Sequence, residues 1–168
     1  MHKRMLIAWL NDAHTMETRS LPILQRRVGD EPLGVDARAR LECHVRETEQ
    51  HAERLRQALR TLGSAPTPVL SNSEPIVVLT QHITSRVFSD RLVIRAIADL
   101  AAEHFEVAAY TALIAAAEHA GEAEVARLCR LNRGEDEDMA EWLDAQIPVA
   151  IGGRLLTFQP AADHGSGV

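Results

Sequence analysis

Apolar positions recur at spacings of three and four through most of the chain, and they mark four helices near residues 3–28, 35–63, 89–119 and 121–147. In the first, Leu6, Leu10, Ala13, Glu17, Leu21, Leu24 and Val28 define one face, with a glutamate among the apolar members. In the second, Leu41, Val45, Thr48, Ala52, Leu55, Leu59 and Leu62 alternate steps of four and three, the seam of a packed bundle. Ser89 before DRL suits the N-cap of the third helix, and Gly121 separates the third from the fourth. IVVLTQHITSRVF (76–88) has strand-like β-branched content but no partner strand, so it reads as a short helix over the bundle.

The links between these helices select a topology. GDEPLG (29–34) and the turn at Gly121 are short, whereas Gly63 to Phe88 runs about 25 residues and begins with the Gly/Pro/Ser-rich GSAPTPVLSNSEP. A helix of about 27 residues is about 40 Å long, and the long link can return along that length. One such crossover between helices 2 and 3 is the ferritin-like arrangement, so the sequence predicts an all-α, ferritin-like four-helix bundle. It places the bundle in residues 1–148 and reads 149–168, after Pro148, as a partly disordered C-terminal tail.

The two halves echo each other. ETEQHAERL (47–55) and EDEDMAEWL (135–143) agree at five of nine positions, pairing Glu47 with Glu135, and AHTME (13–17) matches AEHFE (102–106) weakly, pairing Glu17 with Glu106. One glutamate per helix at comparable depth is what a dinuclear carboxylate site requires, because two divalent ions need several hard anionic oxygens. His51, one turn after Glu47, is a candidate nitrogen ligand. In EHFEVAAY (103–110), Glu106 shares a face with Ala109, Tyr110 and Leu113, and Glu103 lies one turn earlier as a further ligand or a supporting group. Glu47 flanks the seam through Thr48, where a Glu–His pair can equally be surface decoration.

Glu135 and Asp136 are not separated by periodicity. Leu128, Leu131, Met139 and Trp142 favour the former, while Cys129, Asn132, Ala140 and Leu143 favour the latter. The acids 135–138 turn through about 300° of helix, so one of them faces inward; alternatively Gly134 breaks the helix and the acids open a new one.

Composition narrows the function classes. A formal charge of −6, from 24 acidic and 18 basic residues, argues against a nucleic-acid surface. Two cysteines are too few for a disulfide framework, and no secretory or membrane-spanning stretch is visible, so a cytoplasmic protein is expected.

EHFEVAAY followed by ALIAAAEHAGE, WLNDAHTME (9–17), HVRETEQHAERL (44–55) and the acids at 135–138 together resemble the bacterial ferritin-like stress proteins typified by YciF and YciE, over residues 5–147. The resemblance implies a homodimeric bundle tied to stress responses, with Glu17, Glu47, Glu106 and Glu135 as metal ligands and His51, Glu103 and Asp136 as further members. A full di-iron site has two Glu-x-x-His pairs. Here Gln50 and Asp138 stand at those places, and Met139 stands where the echo would put a second histidine. The expected activity is that of an Fe or Mn carboxylate protein acting on peroxide or dioxygen, as in rubrerythrin or manganese catalase. The alternative is a non-enzymatic metal-sequestering or protein-interaction module.

Overall fold

A computed structural model describes residues 2–30, 34–67 and 91–157. The described residues form four long helices: α1 (His2–Asp30), α2 (Val35–Thr61), α3 (Arg91–His119) and α4 (Ala123–Thr157). α1 packs on α2 and α3 on α4, and the contacts α1–α3 and α2–α4 join the two pairs into a bundle. The sequence expectation of an all-α ferritin-like bundle is met.

Cross-helix partners give the directions. Glu17, Ser20 and Arg27 of α1 meet Tyr110, Glu106 and Asp99 of α3, so those two helices run antiparallel. Along α2, His44 meets Glu103 and His51 meets Tyr110, so α2 and α3 run parallel. Two consecutive helices can run parallel only if the link between them travels the bundle's length, which is the crossover inferred from residues 63–88. The proposed short helix at 76–88 and the cap at Ser89 lie outside the described residues.

Glycine ends two of the helices. Gly63 has φ 70° and Gly121 φ 75°, a conformation that costs a Cβ-bearing residue energy. Past each one, the next residue's N–H returns to a carbonyl five residues back, Ser64 to Leu59 and Glu122 to Ala117, both at 2.9 Å. Proline does not end α4: the helix continues through Pro148 to Thr157, beyond the boundary expected there. Pro148 is exposed, so the backbone bond it removes falls on the solvent side. Gly134 likewise lies inside α4, which excludes the break considered there.

The buried stripe of α1 follows Leu6, Leu10, Ala13, Glu17, Ser20 and Arg27. It keeps a strict 3.5-residue repeat, whereas the face read from apolar residues drifts to Leu21 and Val28, which are only partly buried. Polar Ser20 and Arg27 hold the inner positions, which a hydrophobicity pattern does not reveal.

The interior divides lengthwise. Toward the end that carries Gly63 and Gly121 it is apolar, built from Leu6, Leu10, Leu55, Leu59, Leu113, Ile114, Val125 and Leu128. Toward the other end it is polar, with Glu17, Ser20, Arg27, His44, His51, Glu103, Glu106 and Asp136 all buried.

Candidate metal centre

Each helix contributes to the polar half at the positions where its buried stripe passes the bundle middle. Two groups of side chains there could hold an ion: Glu17, His51 and Asp136, and Glu103, Glu106 and Asp136. The ligand-capable atoms of each group lie within 4.8 Å of one another, and Asp136 belongs to both. Glu17 and Asp136 are 0% exposed, Glu106 4% and Glu103 6%.

Isolated carboxylates at such depth cost several kcal/mol unless paired or hydrogen-bonded. Part of that cost is met locally. Tyr110 Oη–H donates to Glu17 Oε1, Ser20 Oγ–H donates to Glu106 Oε1 at 3.3 Å, and His44 Nε2–H donates to Glu103 Oε1 at 3.1 Å. Asn132 Nδ2–H donates to Tyr110 Oη at 2.8 Å and to the His51 carbonyl at 3.3 Å, tying α2, α3 and α4 together behind the site.

Among the described residues, five atoms of the cluster have no hydrogen-bond partner: Glu17 Oε2, Glu103 Oε2, both Asp136 oxygens and His51 Nδ1. His51 Nδ1 stands 3.5 Å from both Glu17 Oε1 and Asp136 Oδ1. Its other nitrogen donates to Glu135 Oε2 at 2.8 Å, so Nδ1 is the nitrogen left to face an ion. Burial pushes the Asp136 carboxyl up to about 12, reinforced by Glu106, Glu17, Glu103 and Glu135. The same cause raises Glu106 well above its ordinary value, with Glu17 and Glu103 adding to it. Two divalent cations would meet both needs at once, supplying partners for the orphaned atoms and offsetting the crowded negative charge. The residues present therefore fit a metal.

Of the residues expected from the sequence, Glu17, His51, Glu103, Glu106 and Asp136 are brought together. Glu47 and Glu135 form an outer pair. Each backs a histidine and is held by an arginine: Arg40 meets Glu47 at 2.8 Å and Arg54 meets Glu135 Oε1 at 2.9 Å. Their side chains are 21% and 29% exposed. The two glutamates stand in similar rows of arginine, outer glutamate, histidine and inner carboxylate, and both rows draw their arginine and histidine from α2. His44, which was not among the candidate ligands, fills the second row. Burial alone would lower its pKa, but Glu103 and the hydrogen bonds to Glu103 and Glu47 lift it to about 10. Asn132 and Ser20 went unassigned because neither carries a charge or a metal-ligand signature.

The hydrogen bond from His44 holds Glu47 down to about 2 from an ordinary 4.5, with Arg40 and Cys43 assisting against burial. A carboxyl depressed on folding adds stability above its unfolded value and loses it as pH falls toward the folded one. Glu47→Gln is therefore expected to cost about 1–2 kcal/mol near neutrality. In chemical denaturation the two proteins should converge as pH falls from 4.5 toward 2; a gap independent of pH would rule out this role for the charge.

The fold is shared with several solved structures. A protein from Xanthomonas campestris pv. campestris superposes with TM-score 0.77 at 25% identity, covering 94% of this chain and 98% of its own. YcfI from Rhodopseudomonas palustris gives TM-score 0.72 at 25% identity, covering 86% and 93%. The E. coli stress protein YciF gives TM-score 0.71 at 16% identity, covering 90% and 98%. The model of the domain of unknown function DUF892 matches residues 1–155, and the chain belongs to that family.

Proposed function

We propose that this chain binds a pair of Fe or Mn ions in its polar half and serves, as a cytoplasmic homodimer in a stress response, in the chemistry of peroxide or dioxygen. The observation that carries the reading is the set of five buried atoms on Glu17, His51, Glu103 and Asp136 that lack a hydrogen-bond partner among the described residues. Asp136, common to both ligand groups, would be shared between the ions, with Glu17 and His51 on one side and Glu103 and Glu106 on the other. Four carboxylates balance two divalent charges, which suits a site sealed from water. Such a pair supplies inner-sphere redox chemistry when bound.

The chain's own residues do the positioning. Tyr110 pins one oxygen of Glu17, Ser20 one of Glu106 and His44 one of Glu103, which leaves the remaining lone pairs for ligation. Glu135, fixed by Arg54, sets the tautomer of His51. The link to stress is supported by the fold shared with the stress protein YciF.

A second reading, a non-enzymatic metal-sequestering or interaction module, is favoured by Met139. This buried thioether stands where the internal echo would put the counterpart of His51. Elemental analysis together with a peroxide and dioxygen consumption assay separates the two. The purified chain, loaded anaerobically, should carry about two Fe or Mn ions per chain and gain about 5–10 °C in Tm at ion concentrations near 100 Kd. No bound ion and no gain on adding Fe, Mn or Zn would remove the metal reading; bound ions that leave peroxide and dioxygen untouched would favour sequestration.

A further inference from the structure

A cavity of about 30 Å³ adjoins the Glu103 and Glu106 side of the cluster, with walls from all four helices. A polar wall carries Ser20, His44, Glu103 and Glu106, and an apolar wall includes Leu24 and Met139. We propose that this cavity is a chamber for hydrogen peroxide and that the Arg27–Asp99 ion pair, which also lines it, closes it to organic hydroperoxides. The proposal deepens the functional reading above and rests on it for the class of substrate.

Size is the first argument. Seating one water takes about 10–15 Å³ of such volume, so the chamber has room for two oxygen atoms and none for an alkyl group. Its chemistry is the second. Hydrogen peroxide brings two O–H donors, and in the metal-free chain Glu103 Oε2, on a residue 6% exposed, is an acceptor with no hydrogen-bond partner among the described residues. Dioxygen has no donor to offer it.

The third argument is position. Arg27 lies two turns along α1 from Ser20, and Asp99 one turn along α3 before Glu103, so their pair spans the two helices on the side away from the apolar core. Asp99, its side chain 23% exposed, is the most open member of the polar lining, and Arg27 is bound to it, which sets the pair on the more open side of the chamber. Salt-bridged and hydrogen-bonded, they present a closed contact that a two-atom oxidant can slip past and a branched one cannot.

Met139 makes the chamber testable without any metal. Peroxide that enters can transfer one oxygen to the thioether: the O–O bond breaks, an S–O bond forms, sulfur gives up two electrons, and water or tert-butanol leaves. Met139 is 1% exposed, whereas Met5, at 45%, is open to any oxidant and serves as the internal reference. The full chain, kept metal-free with chelator, is treated with hydrogen peroxide or tert-butyl hydroperoxide, and sulfoxide at each position is followed by site-resolved mass spectrometry.

Relative to Met5, Met139 should react at least about 10-fold faster with hydrogen peroxide than with tert-butyl hydroperoxide, and Arg27→Ala should bring the two within about 2-fold. Asp99→Asn, which breaks the same pair from α3, should do likewise and serves if the arginine variant loses its helical circular dichroism. Equal treatment of both oxidants by the wild-type chain, no reaction at Met139 with either, or discrimination that survives both variants would each overturn the proposal. A chain that binds no metal but discriminates at Met139 would sink the functional reading alone; one that loads metal but shows no discrimination would sink the chamber alone.

Discussion

Asp136→Asn should remove both ions while leaving the metal-free fold almost unchanged. Asp136 is the one residue common to the two ligand groups, so its loss affects both, whereas Glu17→Gln leaves the Glu103 group whole. In the metal-free protein burial pushes its carboxyl up to about 12, so it is protonated at neutral pH and an amide of the same shape replaces it without loss of charge. The stability of the metal-free variant should lie within about 1 kcal/mol of the wild type. The Tm gain of about 5–10 °C on loading should vanish. Elemental analysis and thermal melts with and without Mn or Fe measure both. A variant that still holds two ions would show that Asp136 is not shared, and a large loss in the metal-free melt would show that it is a structural partner instead.

Asn132→Ala should be among the most damaging single polar changes in the bundle, at about 2–3 kcal/mol. Its amide joins three helices: it accepts from Arg54 at 3.1 Å and donates to Tyr110 Oη and to the His51 carbonyl. Truncation leaves the buried His51 carbonyl and Tyr110 oxygen each short of a donor, and opens a void at a fully buried position. Tyr110→Phe, which breaks the bond to Glu17, should cost about 1–2 kcal/mol. Arg130→Ala, on the exposed pair with Glu118, should cost under about 0.5 kcal/mol. Urea denaturation of the three variants orders them; an Asn132 variant no weaker than the Arg130 control would mean the network contributes nothing.

The helices were legible because each buries one continuous stripe, and a stripe of Leu and Ala survives in the residue pattern whatever the tertiary details. The crossover was legible from link length alone. Depth within the site was harder to read. Successive residues of a helix differ by about 100° in direction, so Glu135 and Asp136 share every composition signal, yet one reaches Arg54 and the other is fully buried. The internal echo matched Glu47 with Glu135, and both stand outside the two ligand groups, but a pseudo-repeat says nothing about distance from the axis. Ser20 and Asn132 act through hydrogen bonds that only the packed bundle creates, as does His44 toward Glu103, although its bond to Glu47 is an i, i+3 contact within α2.

The lengthwise division of the interior has a consequence for how the bundle breathes. Amide hydrogen exchange should be slowest in Leu55–Leu59 and Leu113–Ala117, where leucine packing is continuous, and faster around Ser20–Arg27 and Ala98–Glu103. One end is riveted by hydrocarbon, while the other crowds buried carboxyl groups whose oxygens lack partners, so the cargo acts as the clasp of the half that carries it.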